Sequence, residues 1–122
     1  MLKRKANMNY IDMFVCAVPT QNREAYVERV TTTTALLKSH GALQVMECWG
    51  DDVPDGKLTS LPMAVKCKGD ETVACSFIVW ASRNARDEGM KAFMADPRLA
   101  KVSMPFDGQR LIFGGFQAVS EA

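Results

Sequence analysis

An α+β fold with a wholly antiparallel sheet is the class that this sequence of 122 residues predicts. Three observations carry it. Strand-like and helix-like stretches alternate along the chain, proline, glycine and capping residues fall between them, and two of the strands are apolar on both faces. The length is that of one domain, and folding at this size buries roughly two-thirds of the surface of the unfolded chain.

Tyr10–Val18 is rich in β-branched and aromatic residues and stops at Pro19, which predicts the first strand. Thr20 is a suitable cap for the helix that follows. Tyr26, Val30 and Leu37 recur near multiples of a helical turn, and Gly41 supplies the stop. The β-branched run Thr31–Thr34 opposes a helix, but cap, period and stop all agree around it. Ala42–Trp49 is the second strand, and residues 51–56 form a solvated loop whose spacing does not fit a calcium site.

Leu61–Cys67, the turn at residues 68–71 and Thr72–Ala81 predict a hairpin, which adds a strand segment. Ser82 or Asn84 caps the second helix, with Ala85, Gly89, Phe93 and Met94 on its inner side, and Asp96-Pro97 ends it. A tight turn at Pro105–Gly108 leads into the closing strand, from about Arg110 to Val119, where Gly114-Gly115 marks a bulge or a close approach. The order β-α-β-(β)-β-α-β is the ferredoxin-like split arrangement with an extra strand segment. Residues 1–7 read as a disordered basic tail, possible as an upstream start ahead of Met8, and residues 8–122 as the single domain.

The strands say more than their order. Tyr10, Phe14, Cys16 and Val18 point one way and Ile11, Met13, Val15 and Ala17 the other, and the strand at 72–81 behaves alike. Two helices cover only one face of such a sheet. The other would leave on the order of several hundred Å2 of apolar surface in water, so a second copy packed sheet to sheet in a two-fold homodimer is expected.

Composition excludes several function classes. A net charge of +1 offers no field for nucleic acid or an anionic membrane, and no apolar run approaches the ~20 residues of a membrane span. Asp12 interrupts any signal-peptide reading of the amino terminus. Cys16, Cys48, Cys67 and Cys75 lie in apolar runs without a Cys-x-x-Cys pair, which reads as free thiols in the reducing cytoplasm. With His40 the only histidine, no metal site is expected.

Asp12 is a carboxylate inside an apolar strand and needs a partner or a raised pKa. An ion pair with an arginine is the commoner arrangement, and a general base is the sharper one. Glu47 stands in a similar setting, and if both face the barrel lumen they make a carboxylate pair for proton transfer. His40, before Gly41, suits a capping role. Arg83 and Arg86 open the second helix and are candidates for an anion or a carboxylate. Trp49 and Trp80 are core anchors or pocket walls. Asp107 stabilises its turn, and Arg110 pairs with Asp107 or Asp12.

Tyr10-Ile-Asp-Met-Phe-Val, His40-Gly-Ala, Glu47-Cys-Trp-Gly-Asp-Asp, Met94-Ala-Asp-Pro-Arg and Met104-Pro-Phe-Asp-Gly through Gly114-Gly-Phe together resemble domain-of-unknown-function family 1428, bacterial proteins of the dimeric α/β-barrel superfamily. The resemblance runs from Met8 to Val119. It implies two ferredoxin-like subunits packed into one barrel, and brings no established reaction. Relatives in the wider superfamily include cofactor-independent oxygenases, isomerases and haem-degrading proteins. The second helix here has no histidine to hold haem iron, so no cofactor is expected. The reading is a cytosolic homodimer with a small-molecule pocket in the barrel. The alternatives are a cofactor-independent oxygenase or isomerase with Asp12 or Glu47 as base, and a non-catalytic regulatory or interaction module.

Overall fold

The computed structural model describes residues 8–122; the predicted basic tail, residues 1–7, lies outside the described residues. Strand β1 (Tyr10–Pro19) leads through a 3-10 turn (Thr20–Asn22) into α1 (Arg23–Ser39) and β2 (Gln44–Trp49). A four-residue helix α2 (Leu61–Ala64) precedes β3 (Glu71–Trp80), followed by α3 (Arg83–Met94) and β4 (Ile112–Gln117). The four strands form one antiparallel sheet in the order β2-β3-β1-β4. This is the ferredoxin-like arrangement, with β1 and β3 at its centre.

Local chemistry accounts for the elements. Gly41 adopts φ +107° just beyond α1, a left-handed conformation that side chains disfavour, so the helix stops there. The threonine run stays helical because its hydroxyls bond back to the helix: Thr31 Oγ1 donates to the Val27 carbonyl at 2.7 Å and Thr33 Oγ1 to Val30 at 3.3 Å. Ser82 caps α3 by accepting from the Ala85 N–H at 3.0 Å, while Asn84 donates to Glu88 instead.

Several expectations need correction. Leu61–Cys67 is not a strand. Ser60 accepts from the Met63 N–H and Pro62 fits the first turn, so the segment starts a helix, and Lys66 at φ +51° then reverses the chain. Thr20 does not cap α1, because its hydroxyl bonds Thr72 Oγ1 at 2.7 Å. Met94 is 67% exposed, so Phe93 alone ends the inner face of α3. The closing strand is shorter than predicted, since residues 108–110 form a 3-10 turn.

The sheet's faces are unequal. On one, Ile78 and Trp80 pack with Leu36, Leu37 and Phe93, and Cys16, Val18 and Ala74 pack with Tyr26. Both helices contribute to this layer, and Trp80 is completely buried in it. Gly89 gives the indole its room, since a Cβ there would sit 2.3 Å from Trp80 Cζ3 and 2.7 Å from the His40 carbonyl. Gly89→Ala is therefore expected to cost about 2–3 kcal/mol in a urea titration, through overpacking against backbone that cannot give way.

The opposite face is covered only at one end, where Val65, just beyond α2, packs on Val15, Ala17 and Val73. Ile11, Met13, Phe77, Val79, Met46, Ile112 and Phe116 remain there without cover from the described residues, with Met46 and Phe116 about half exposed.

Candidate functional site

Asp12 lies on the helix-covered side of the sheet, where its side chain is 5% exposed. Its Oδ2 accepts from Trp80 Nε1 at 3.0 Å, and its Oδ1 accepts from Arg86 Nη1 at 3.0 Å. Arg86 stands in the first turn of α3, which Ser82 caps, and so hangs over the strand carrying Asp12. Its Nη2 donates to the Tyr10 hydroxyl at 3.2 Å, and the guanidinium lies 4.9 Å from the Tyr10 ring centre. Nε is buried and 2.9 Å from Asp87 Oδ1, but out of alignment for a hydrogen bond.

Burial pushes the Asp12 carboxyl above its ordinary value, with Arg86 and Trp80 opposing and Asp87 assisting. Gly115, opposite Asp12 on β4, leaves space for Tyr10, because a Cβ there would come within 2.5 Å of the Tyr10 hydroxyl. The register runs unbroken through both glycines, so the pair marks a close approach and not a bulge. One repeat along the same face, about 7 Å away by strand rise, Phe113 stacks on Phe14 with ring centres 5.8 Å apart. Phe113 is 73% exposed, which leaves an open aromatic shelf beside a buried carboxylate.

Glu47 shares this side of the sheet but forms a separate cluster. It accepts from Ser76 Oγ and lies near Tyr26, Cys16 and Arg29. Burial raises the Glu47 carboxyl against the Ser76 hydrogen bond and the Arg29 charge; it also pushes the Cys16 thiol up to about 11. The whole of β3 separates Glu47 from Asp12, roughly 10 Å by strand spacing, so the two do not form a carboxylate pair. Nor do they point to the uncovered face.

The other predicted residues scatter. His40 Nε2 meets Asp96 Oδ2 at 2.8 Å and ties the end of α1 to the end of α3, while its backbone N–H bonds the last turn of α1. Arg98 holds Asp96 through two side-chain bonds, which keep that carboxyl well below the usual range. Trp49 packs on Tyr26 under Arg23. Arg83 is exposed beside Asp87. Arg110 grips both oxygens of Glu71 at 2.7 Å and also Asp107, so it does not reach Asp12. Among the described residues no three His, Cys, Asp or Glu side chains group as metal ligands.

The Arg110 pair carries a pH signature. Two charge-assisted bonds hold the Glu71 carboxyl down to about 2, below its ordinary 4.5. A depressed carboxyl stabilises the fold above its unfolded value and loses that contribution as pH falls through 4.5 toward 2. Glu71→Gln is expected to flatten this stretch of the acid unfolding curve, as followed by circular dichroism.

The family model described as protein of unknown function (DUF1428) matches residues 9–108. The chain belongs to the DUF1428 family. The YbaA protein of Escherichia coli K12, described as uncharacterised, is 46% identical over 114 residues, which span 92% of this chain and 97% of its own. YbaA of Shigella flexneri matches to the same extent. Among solved structures, a dimeric ferredoxin-like protein from an uncultured marine organism superposes with a TM-score of 0.60 at 12% identity, over 94% of this chain and 99% of its own. A candidate antibiotic biosynthesis monooxygenase from Bacillus cereus gives 0.56 at 14% identity, over 94% and 97%. At such identities the likeness is one of fold. The stretch matched to DUF1428 holds Tyr10, Asp12, Trp80 and Arg86 and ends before Arg110 and β4.

Sequence reasoning missed Tyr10, Ser76, Arg29 and Phe113 as site residues. Phe113 carried a readable signal: it sits one position before the glycine pair, where the strand loses the side chains that would otherwise crowd a neighbour.

Proposed function

We propose that this DUF1428 chain acts as a homodimer, joined sheet to sheet through its uncovered face, and that each subunit binds a small molecule beside Asp12, Arg86 and Phe113. The uncovered face is the observation that carries this. From residues 11–17, 44–48, 73–79 and 112–116 it presents no charged side chain, so a copy turned about a two-fold axis meets it without setting like charges together. A fold relative that is itself described as dimeric supports the same assembly. The four free cysteines suit a cytoplasmic protein.

The ligand site lies on the far side of the sheet from the interface, and not in an apolar lumen between sheets. An exposed ring on Phe113, with a buried acceptor on Asp12 and a hydroxyl on Tyr10, suits a planar ring bearing hydroxyl donors. A second reading rests on the raised Asp12 carboxyl: the subunit is a cofactor-independent enzyme with Asp12 as the base.

Resorcinol, a planar ring with two hydroxyl donors, is a suitable probe. In nitrogen–proton spectra its addition is expected to move the indole resonance of Trp80, which bonds Asp12, and to leave that of Trp49 unmoved. Asp12→Asn is expected to lose the response while remaining folded. Equal movement of both indoles, or of neither, goes against the site.

A further inference from the structure

We propose that Glu47 and Arg29 flank a second binding site, which takes a small α-amino acid, its ammonium on Glu47 and its carboxylate on Arg29. Glu47 faces Ser76 in the register of β2 and β3, on the helix-covered side of the sheet. Ser76 Oγ donates to Glu47 Oε1, and Oε2 has no hydrogen-bond partner among the described residues. β2 is an edge strand, and Glu47 and Ser76 are both partly exposed, so a ligand can approach from the side of the sheet. Tyr26 and Arg29 stand one turn apart on the same face of α1. Trp49, on the same side of β2 as Glu47, packs on Tyr26 with ring centres 5.7 Å apart. Phe106 lies across from it, its ring centre 6.0 Å from that of Tyr26 and 5.8 Å from the Arg29 guanidinium carbon. Arg29 Nη1 donates to the Ser103 carbonyl at 2.9 Å, which leaves the rest of its donor fork for a ligand.

Glu47 and Arg29 act on one another by charge, but no ion pair joins them. Burial keeps the Tyr26 hydroxyl and the Cys16 thiol beside them in their neutral forms. The cluster therefore holds an anion and a cation, half-buried and apart, with aromatic rings alongside. Half-buried charges without a partner are costly, and a zwitterion with an apolar body supplies both partners at once. A ligand with a single charge leaves the other group unpaired. This side of the sheet faces away from the proposed dimer interface, and β3 separates the cluster from Asp12. The site stands whether or not those two readings hold.

The test adds L-phenylalanine to the native full chain, with phenethylamine and 3-phenylpropanoate as probes that each lack one of its charges. In nitrogen–proton spectra phenylalanine is expected to move the indole resonance of Trp49, beside Tyr26, and to leave that of Trp80 in place. Each single-charge probe is expected to bind about tenfold more weakly, having lost one charge-assisted contact. Glu47→Gln is expected to stay folded by circular dichroism and to bring phenylalanine down to the level of 3-phenylpropanoate. Arg29→Met is expected to bring it down to the level of phenethylamine. A single-charge probe that binds as tightly as phenylalanine, a Trp49 resonance that does not move, or equal movement of Trp80 would each overturn the proposal on the unmutated chain. So would a folded Glu47→Gln chain with the affinity of its parent.

Discussion

Phe77→Glu is expected to turn a dimer into a folded monomer. In the register Phe77 lies between Met13 on β1 and Met46 on β2, at the middle of the uncovered face. Within a single chain it is already partly exposed, so a carboxylate there is tolerated by the fold. A two-fold interface contains each residue twice, so one substitution removes two buried rings and sets two carboxylates near each other. At about 2–3 kcal/mol per ring, the loss is about 4–6 kcal/mol, or about three to four decades in dissociation constant. Sedimentation equilibrium reads the assembly and far-ultraviolet circular dichroism reads the fold. A variant that dimerises as tightly as its parent would mean that the second copy docks elsewhere.

The second large effect is expected at Arg86. Removing one partner of a buried ion pair leaves the other charged, desolvated and unpaired, which costs about 3–5 kcal/mol. Arg86→Met does this to Asp12, whose side chain is 5% exposed. Asp12→Asn combined with Arg86→Met is expected to recover much of the loss, because no lone buried charge remains. The pH dependence separates this site from the Arg110 pair. Asp12 already has a raised carboxyl, and losing Arg86 raises it further. A carboxyl raised by folding favours the folded state while it is protonated, and that contribution fades as pH rises through the folded value. The Arg86→Met defect is therefore expected to shrink in acid, whereas the Glu71–Arg110 contribution is lost there. Urea midpoints across acid and neutral pH measure both.

The strands were legible because their signals are local. Tyr10–Val18 and the strand before Ala81 carry apolar residues at both parities, and that doubled pattern led to the two-faced sheet the structure has. Ser82 was readable as a cap for the same reason. Leu61–Cys67 misled because a short apolar run has no period long enough to tell strand from helix, and the cap at Ser60 decided it. The site was harder. Asp12 was visible as a charge out of place, and Arg86 as a cation on the helix opposite, but pairing them needs the fold, since 74 positions separate them. Asp12 and Glu47 looked like a pair because their surroundings are alike; only the strand order shows β3 between them. The Glu71–Arg110 clamp left no mark in the sequence, for Glu71 opens β3 and Arg110 ends a 3-10 turn, and their approach depends on the whole sheet.

Helices cover one side of the sheet, and a second copy is proposed to cover the other. The molecular mass of the unmodified chain in solution, measured by sedimentation equilibrium over a range of protein concentrations, tests this most directly. A mass twice that of the 13.5 kDa chain is predicted. A single 13.5 kDa species throughout would contradict the account, for the uncovered face would then stand in water with no partner of its own kind.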